Sequence, residues 1–162
     1  MSNKEWGNIT WKLFHTLAAQ INEEKFPEVR AKLINIVIRT CKNLPCPFCA
    51  DHASNHVLKR CYINNIKTKA HFIEFLRQLH NIVNIKLQKK TFTMNEINDM
   101  YTSVNLRSTI HEFIRLYSVQ YHNMRLMVNN MHRRQFLKDL IQELNIIKYA
   151  VVETPSTPQA ML

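Results

Sequence analysis

The scarcity of glycine constrains the fold of this chain more than any other feature. Gly7 is the only glycine among 162 residues. Tight hairpin turns depend on residues that tolerate a positive φ, chiefly glycine, so the sequence argues against a hairpin-rich β protein. A hydrophobic fraction of 46% and a charged fraction of 21% are close to globular averages. The sequence therefore predicts an all-α protein with a folded core.

The length fits one compact domain with an extension. The net charge of +10 would suit a polyanion or an anionic cofactor. Lysine and arginine are spread along the chain without a basic block, so nucleic acid is not the expected partner. No apolar run approaches the roughly 20 residues of a membrane span, and the N-terminus lacks the apolar region of a signal peptide. We therefore expect a cytoplasmic protein.

Apolar residues at helical spacing divide the chain into predicted helices. The first five are expected from Ile9, from Pro27 to about Asn43, from the Cys-x-x-Cys sequence to about Leu58, from Lys69 to about Leu87, and from Thr93 through Tyr101. Thr93 has Glu96 at the capping-box position. Residues 106–149 predict two more helices, broken near Asn129 and Asn130, and the last ten residues, with two prolines, are expected to be disordered. We divide the chain into a domain at 1–105, an extension at 106–150 and a tail at 151–162.

The Cys-x-x-Cys sequence, Cys46 to Cys49, is the strongest chemical signal in the chain. Pro47 suits a first helical turn because its missing N–H would have no partner there. Thiols at a helix start lie near the positive end of the helix dipole, which favours the reactive thiolate. Because a reducing cytosol disfavours purely structural disulfides, the spacing predicts redox cycling between dithiol and disulfide.

A structural zinc site is an alternative interpretation of the same segment. Cys46, Cys49, His52 and His56 have ligand types and spacings that suit zinc. All four would come from one short segment, however, whereas zinc usually joins two separated segments. We therefore predict no metal site, and we regard Cys41 and Cys61 as bystander thiols.

Other residues have both a structural and a binding interpretation. Trp11 and His15 lie one turn apart and are typical of a helical core. His80 and Asn84 lie at helical spacing, and an adenine ring or a ribose could satisfy their polar atoms. Gly7, just ahead of the predicted first helix, would let a ligand or a neighbouring backbone come close.

Three motifs occur in order along the chain. The first is a glycine followed by T/S-W-x-x-x-H, which Gly7 and Thr10 to His15 match. The second is C-x-x-C, at Cys46 to Cys49. The third is H-N-x-V-N-x-x-L-x-K-x-x-F, at His80 to Phe92. Together they resemble the Erv/ALR family of flavin-linked sulfhydryl oxidases over about Glu5 to Tyr101. The resemblance is greatest to members from large cytoplasmic DNA viruses, which would place the protein in host cytoplasm or a virion.

The resemblance implies a four-helix bundle with a short fifth helix that holds FAD. Trp11 and His15 would lie by the flavin, and Gly7 would belong to the same binding motif. The residues implied at the adenosine and phosphate end are His80, Asn81, Val83, Asn84, Leu87 and Lys89. Tyr101 stands where the family usually has tryptophan, and its aromatic face keeps stacking on adenine possible.

The resemblance also implies a reaction. Cys46 would exchange with thiols of client proteins or of a thioredoxin-like relay protein, and Cys49 would pass electrons to FAD and on to O2, giving H2O2. A homodimer is expected. The disulfide that ties the fourth helix to the following loop in many cellular members is replaced here by Arg77 and Met94. A further alternative is a basic helical structural or adaptor protein that binds a partner or nucleic acid through residues 106–149, with a zinc site or a vestigial redox site.

Overall fold

The computed structural model describes residues 3–60, 63–119 and 124–152, and within them the protein is all-α, as predicted. The helices are α1 (Asn3–Gln20), α2 (Phe26–Lys42), α3 (Pro47–His52), α4 (Lys69–Lys86), α5 (Met94–Tyr101), α6 (Leu106–Tyr117) and α7 (Met124–Ile147). The only extended pairing in these ranges is an isolated antiparallel bridge between Ile21 and Val151. Cys61 and the predicted disordered tail from Glu153 lie outside the described residues. No helix in the described ranges is long and apolar enough to cross a membrane.

Helix α1 is central because it contacts α4, α5 and α6. Leu13 and Phe14 are fully buried on its inner side. The helix begins at Asn3 rather than at the predicted Ile9, so Gly7 lies inside α1 and not ahead of it. The first turn of the helix is polar and includes Glu5, so apolar periodicity does not indicate where the helix begins.

Side-chain caps begin α4 and α5, and of the two only the cap of α5 was predicted. The Thr68 hydroxyl accepts a hydrogen bond from the His71 N–H at 3.2 Å. Thr93 and Glu96 form the predicted capping box at the start of α5. Between these helices Gln88 adopts a positive φ of 55°, which turns the chain out of α4. The turn at Gln88 and the cap at Thr93 therefore mark the two ends of the connection at residues 87–93, here called the α4–α5 loop.

Side chains of α4 hold the α4–α5 loop without a disulfide. The Asn81 amide donates to the Phe92 carbonyl at 2.9 Å and accepts from the Phe92 N–H at 2.8 Å. The Arg77 guanidinium donates to the same carbonyl at 2.9 Å and pairs with Glu74. Arg77, which the resemblance places where many cellular members have a cysteine, thus makes a polar attachment between the helix and the loop.

The C-terminal helices are part of the same hydrophobic core. Phe113 and Tyr117 on α6 are buried, and the Tyr117 hydroxyl lies 2.6 Å from the Thr10 hydroxyl of α1. Helix α7 packs on α2, where Arg39 pairs with Asp139 and Glu143. The C-terminal segment is therefore attached to both α1 and α2.

The predicted break at Asn129 and Asn130 is wrong. Both residues lie within α7, and α6 ends earlier, at Tyr117. Asparagine in a helix interior costs at most about 0.7 kcal/mol relative to alanine, too little to break a helix that packs on a neighbour. After α7, the Val152 N–H donates to the Gln20 carbonyl and the Asn22 N–H to the Ala150 carbonyl, both at 2.7 Å. These bonds tie the end of the described chain to the end of α1.

Candidate functional site

Cys46 and Cys49 form a disulfide at the start of α3, with their Cα atoms 5.1 Å apart. Cys46 is the extended residue before the helix, and Pro47 takes the first helical position, as predicted. The Cys46 Sγ accepts a hydrogen bond from the Cys49 N–H at 3.1 Å. Both cysteines are half-buried. The sequence therefore places a redox-capable pair where a backbone donor faces one of its sulfurs.

A cavity of about 620 Å³ opens beside this disulfide, between α1, α3, α4 and the α4–α5 loop. Ligand pockets in proteins are typically about 300–1,000 Å³. Cys49 lines the cavity, whereas Cys46 is not among the described residues that do. The two sulfurs of one disulfide thus differ in what they face. Cys49 lines an open cavity whose volume is in the range of ligand pockets.

Most of the predicted binding residues meet at this cavity. Those lining it are Gly7, Trp11, His80, Val83, Asn84, Leu87, Lys89 and Tyr101. His15 and Asn81 are buried but are not among the described lining residues. His15 supports the ring stack described below, and Asn81 holds the α4–α5 loop. The cavity therefore brings together residues from three motifs that are far apart in the sequence.

Gly7 opens onto the cavity. A Cβ atom added there would meet no described atom within 4 Å apart from its own helix and chain neighbours. Its φ does not require glycine either, because it is not in the left-handed region. Among the described residues, neither packing nor backbone conformation requires glycine here. The absence of a side chain instead leaves space in the cavity that a ligand can occupy.

Four rings form a stack between α1, α4 and α5. The Trp11 and His80 rings are 4.1 Å apart and nearly parallel, and His15 stacks on Tyr101 with centroids 4.8 Å apart. His15 Nε2 lies 3.1 Å from His80 Nδ1, so one of the two rings donates and the other accepts. His15 Nδ1 finds no hydrogen-bond partner among the described residues. Trp11 and His80, which the resemblance assigns to different ends of the cofactor, are thus in direct contact.

Both histidines of this stack are neutral at physiological pH. Burial, followed by the nearby His80, lowers the pKa of His15 from 6.5 to about 3. Burial, followed by the charge of Lys89, lowers the pKa of His80 to about 4. Because the two histidines are neutral, the aromatic wall of the cavity is uncharged. The positive charge around the cavity comes from lysines.

Three lysines surround the cavity: Lys86, Lys89 and Lys90. Lys90 pairs with Glu96, and the Lys86 ammonium lies 5.4 Å from the centre of the Phe48 ring. Ammonium groups of this kind can bind phosphate as point charges. The cavity therefore combines an aromatic wall with a basic rim.

Asn84 lines the cavity, but its amide nitrogen donates to the Lys90 carbonyl at 2.9 Å. The backbone of the α4–α5 loop therefore provides hydrogen-bond partners for the amide side chains of Asn81 and Asn84, so these partners need not come from a ligand. The sequence analysis gave no cofactor-binding role to other lining residues, among them Trp6, Phe48, His52, Phe92 and Met100. Phe92 closes the third motif and could have been found from it, whereas Trp6 precedes the predicted first helix.

No group of three or more histidine, cysteine or carboxylate side chains within the described ranges is placed to hold a metal ion. The side chain of His56, one of the four candidate zinc ligands, is outside the description. The sulfurs of the two candidate cysteines are bonded to each other. The pair is thus described in its disulfide form, which is the form that a thiol attacks in exchange.

Comparisons with known proteins match the same part of the chain. The model of the Erv1 / Alr family matches residues 8–102. The FAD-linked sulfhydryl oxidase ERV1 of Oryza sativa subsp. japonica is 32% identical over 98 residues, which are 60% of this chain and 50% of the rice protein. The putative FAD-linked sulfhydryl oxidase 096R of Invertebrate iridescent virus 3 is 26% identical over 60% of this chain and 66% of the viral protein. The FAD-linked sulfhydryl oxidase of African swine fever virus is 24% identical over 64% and 85%.

The chain spans about half the length of the plant relative and about two thirds of the iridescent virus protein. The family match ends at residue 102, after α5, so α6 and α7 lie beyond it.

Proposed function

Because the chain belongs to the Erv1 / Alr family, we propose that it is an FAD-linked sulfhydryl oxidase that forms disulfides in client proteins. The observation that carries the proposal is the placement of the Cys46–Cys49 disulfide. Cys49 lines the large cavity, while Cys46 lies outside the set of described lining residues. One sulfur can therefore meet a client while the other meets a cofactor.

The residues of the cavity fit FAD. Trp11 and Tyr101 offer aromatic faces to its rings, and Lys89 and Lys90 offer cations to its pyrophosphate. The missing side chain of Gly7 leaves space in the wall. When bound, FAD would supply two-electron acceptance from a dithiol and transfer of those electrons to O2, which gives H2O2.

The protein's part in the reaction begins with thiol–disulfide exchange. A client thiolate attacks Cys46 Sγ, the Cys46–Cys49 bond breaks, and Cys49 leaves as a thiolate. A second client thiolate then attacks the client sulfur of the mixed disulfide. This releases Cys46 and completes the client disulfide. The Cys49 N–H, which already donates to Cys46 Sγ, would stabilise the thiolate formed there.

The test is the visible spectrum of the purified protein together with oxygen uptake during dithiothreitol oxidation. We expect flavin absorbance near roughly 450 nm and oxygen uptake that is lost in both Cys46→Ala and Cys49→Ala. The matched control is Cys61→Ala, which removes a thiol with no proposed role. A colourless protein that takes up no oxygen after FAD is added would overturn the proposal.

The remaining expectations follow from family membership and are proposals too. The protein would act as a homodimer in the cytoplasm, on thiol clients directly or through a thioredoxin-like relay. Mass measured in solution by light scattering tests the dimer. A mass of one chain at micromolar concentration would contradict it.

A further inference from the structure

A second, smaller pocket adjoins the Cys46 end of the disulfide. It measures about 220 Å³ and is lined by both neighbours of Cys46 in the chain, Pro45 and Pro47. Neither cysteine is among its described lining residues, and of the residues that line it only Leu44 also lines the large cavity. The pocket is therefore a separate feature of the surface on which a client would dock.

The charged residues of this pocket are cationic. Lys42, exposed at the end of α2, and Arg133, from α7, are its two charged lining residues, and no acidic side chain in the described ranges lines it. Arg133 is only 6% exposed and donates to the Val119 carbonyl at 3.4 Å. A guanidinium keeps its charge at any physiological pH. The pocket thus holds a fixed positive charge beside the sulfur that a client attacks.

We propose that this pocket, here called the Lys42–Arg133 pocket, binds an acidic side chain close to the reactive cysteine of a client. The inference rests on the proposed oxidase function and adds substrate selection to it. A client cysteine that reaches Cys46 brings its neighbours in sequence past Pro45 and Pro47, since adjacent residues are about 3.3 Å apart along an extended chain. A carboxylate there complements Lys42 and Arg133, and charge complementarity of this kind gives specificity and faster association.

This selection depends on the C-terminal helices. Arg133 lies beyond residues 8–102, which match the family model, so α7 adds a substrate-recognising residue to the family's redox site. Removing α7 would therefore change which clients are oxidised as well as how stable the protein is.

The experiment compares three dithiol peptides that differ at one residue beside the attacking cysteine, which is Glu, Gln or Lys. The full chain is loaded with FAD, and kcat/KM is measured by oxygen uptake at low ionic strength. We expect the Glu peptide to exceed the Gln peptide by about threefold and the Lys peptide to be the slowest. The preference should shrink as salt is added, because salt screens exposed charges.

Lys42→Gln and Arg133→Gln should each reduce the preference for Glu towards parity while leaving dithiothreitol oxidation unchanged. Lys32→Gln, which removes an exposed lysine elsewhere on α2, is the matched control and should keep the preference. If Arg133→Gln does not fold, Lys42→Gln and the peptide series decide the matter.

Equal kcat/KM values for the three peptides in the wild type would overturn the inference, as would a Glu preference that both pocket variants retain. If either result is found while the protein still oxidises dithiothreitol, the inference is wrong but the proposed oxidase function is not contradicted. Failure to oxidise dithiothreitol would instead contradict that function itself.

Discussion

His15 and His80 face each other between α1 and α4, and their burial makes the protein sensitive to acid. Their pKa values in the folded protein, about 3 and about 4, lie below the value of 6.5 expected when the chain unfolds. The unfolded chain therefore binds protons first as the pH falls. Stability due to these residues is complete above pH 6.5 and decreases towards pH 4.

We predict that His80→Gln weakens this pH dependence. Between pH 6.5 and 4.5 each buried histidine can remove up to about 1.4 kcal/mol of unfolding free energy per pH unit. Urea unfolding at several pH values measures the slope. Ile85→Ala, which changes an exposed side chain of the same helix that does not titrate, is the control and should leave the slope as in the wild type. An unchanged slope in His80→Gln would show that His80 does not titrate as described.

Gly7→Ala should have opposite effects on stability and on cofactor binding. Alanine in a helix interior is more stable than glycine by about 0.5–1 kcal/mol, and the new Cβ meets no described atom within 4 Å beyond its own helix and chain neighbours. The same methyl group projects into the cavity that we assign to FAD. We expect a higher Tm for the cofactor-free protein and weaker FAD binding in a fluorescence titration. Unchanged FAD affinity would place the cofactor away from Gly7.

Most of the binding residues predicted from the sequence do line the cavity, because residues such as Trp11, His80 and Lys89 stand at fixed positions within the motifs. The motifs did not reveal what Asn81 binds. Its partner, Phe92, is brought close by a loop in which Gln88 adopts a positive φ. Such a conformation is uncommon for glutamine, and nothing local in the sequence indicates it.

At the scale of elements, the attachment of the α4–α5 loop to α4 decides how the cavity is walled. Asn81 satisfies both the N–H and the C=O of Phe92, and Arg77 donates to the same C=O. A reductant cannot break these bonds, unlike a disulfide. The loop would therefore stay in place while the Cys46–Cys49 pair cycles.

Asn81→Leu should cost more stability than Arg77→Met. The leucine variant leaves the Phe92 N–H without its partner, at a cost of about 1–3 kcal/mol. The Phe92 carbonyl still accepts from Asn81 when Arg77 is removed, so about 1 kcal/mol is expected there. Urea unfolding measures both. Gln78→Ala, which removes an exposed side chain bonded to Glu74, is the control on the same helix. The reverse order of the two costs would contradict this account of the loop.

The ends of helices were predictable where a side chain caps them and uncertain elsewhere. Thr93 and Glu96 mark the start of α5 in both sequence and structure. The connection between α6 and α7 was misplaced because two asparagines suggest a break, although tertiary packing outweighs such a weak propensity. Local signals therefore locate caps better than they locate interruptions.

At the scale of the whole molecule, α6 and α7 share one core with the helices that match the family. Phe113 and Tyr117 belong to the same buried cluster as Leu13 and Phe14 of α1. Burying large side chains across such a boundary makes the two parts mutually dependent. The predicted boundary between a domain at 1–105 and an extension at 106–150 therefore stays a prediction, and it concerns which part of the sequence resembles the family.

Phe113→Ala should destabilise the whole protein by about 3–5 kcal/mol, as removal of a buried phenylalanine usually does. Ile141→Ala on α7, where the side chain is 38% exposed, is the control and should cost far less. Thermal unfolding followed by circular dichroism measures both variants. Two separate transitions, with only the smaller one shifted by Phe113→Ala, would show instead that the C-terminal helices fold independently.

The central claim is that electrons from a thiol reach FAD through the Cys46–Cys49 disulfide. The most direct test is anaerobic mixing of the FAD-loaded protein with dithiothreitol while the flavin absorbance near roughly 450 nm is followed. We predict rapid bleaching in the wild type and in Cys61→Ala, and loss of that rapid bleaching in Cys49→Ala and Cys46→Ala. Bleaching at the wild-type rate in Cys49→Ala would mean that thiols reduce the flavin without the disulfide, and would contradict the claim.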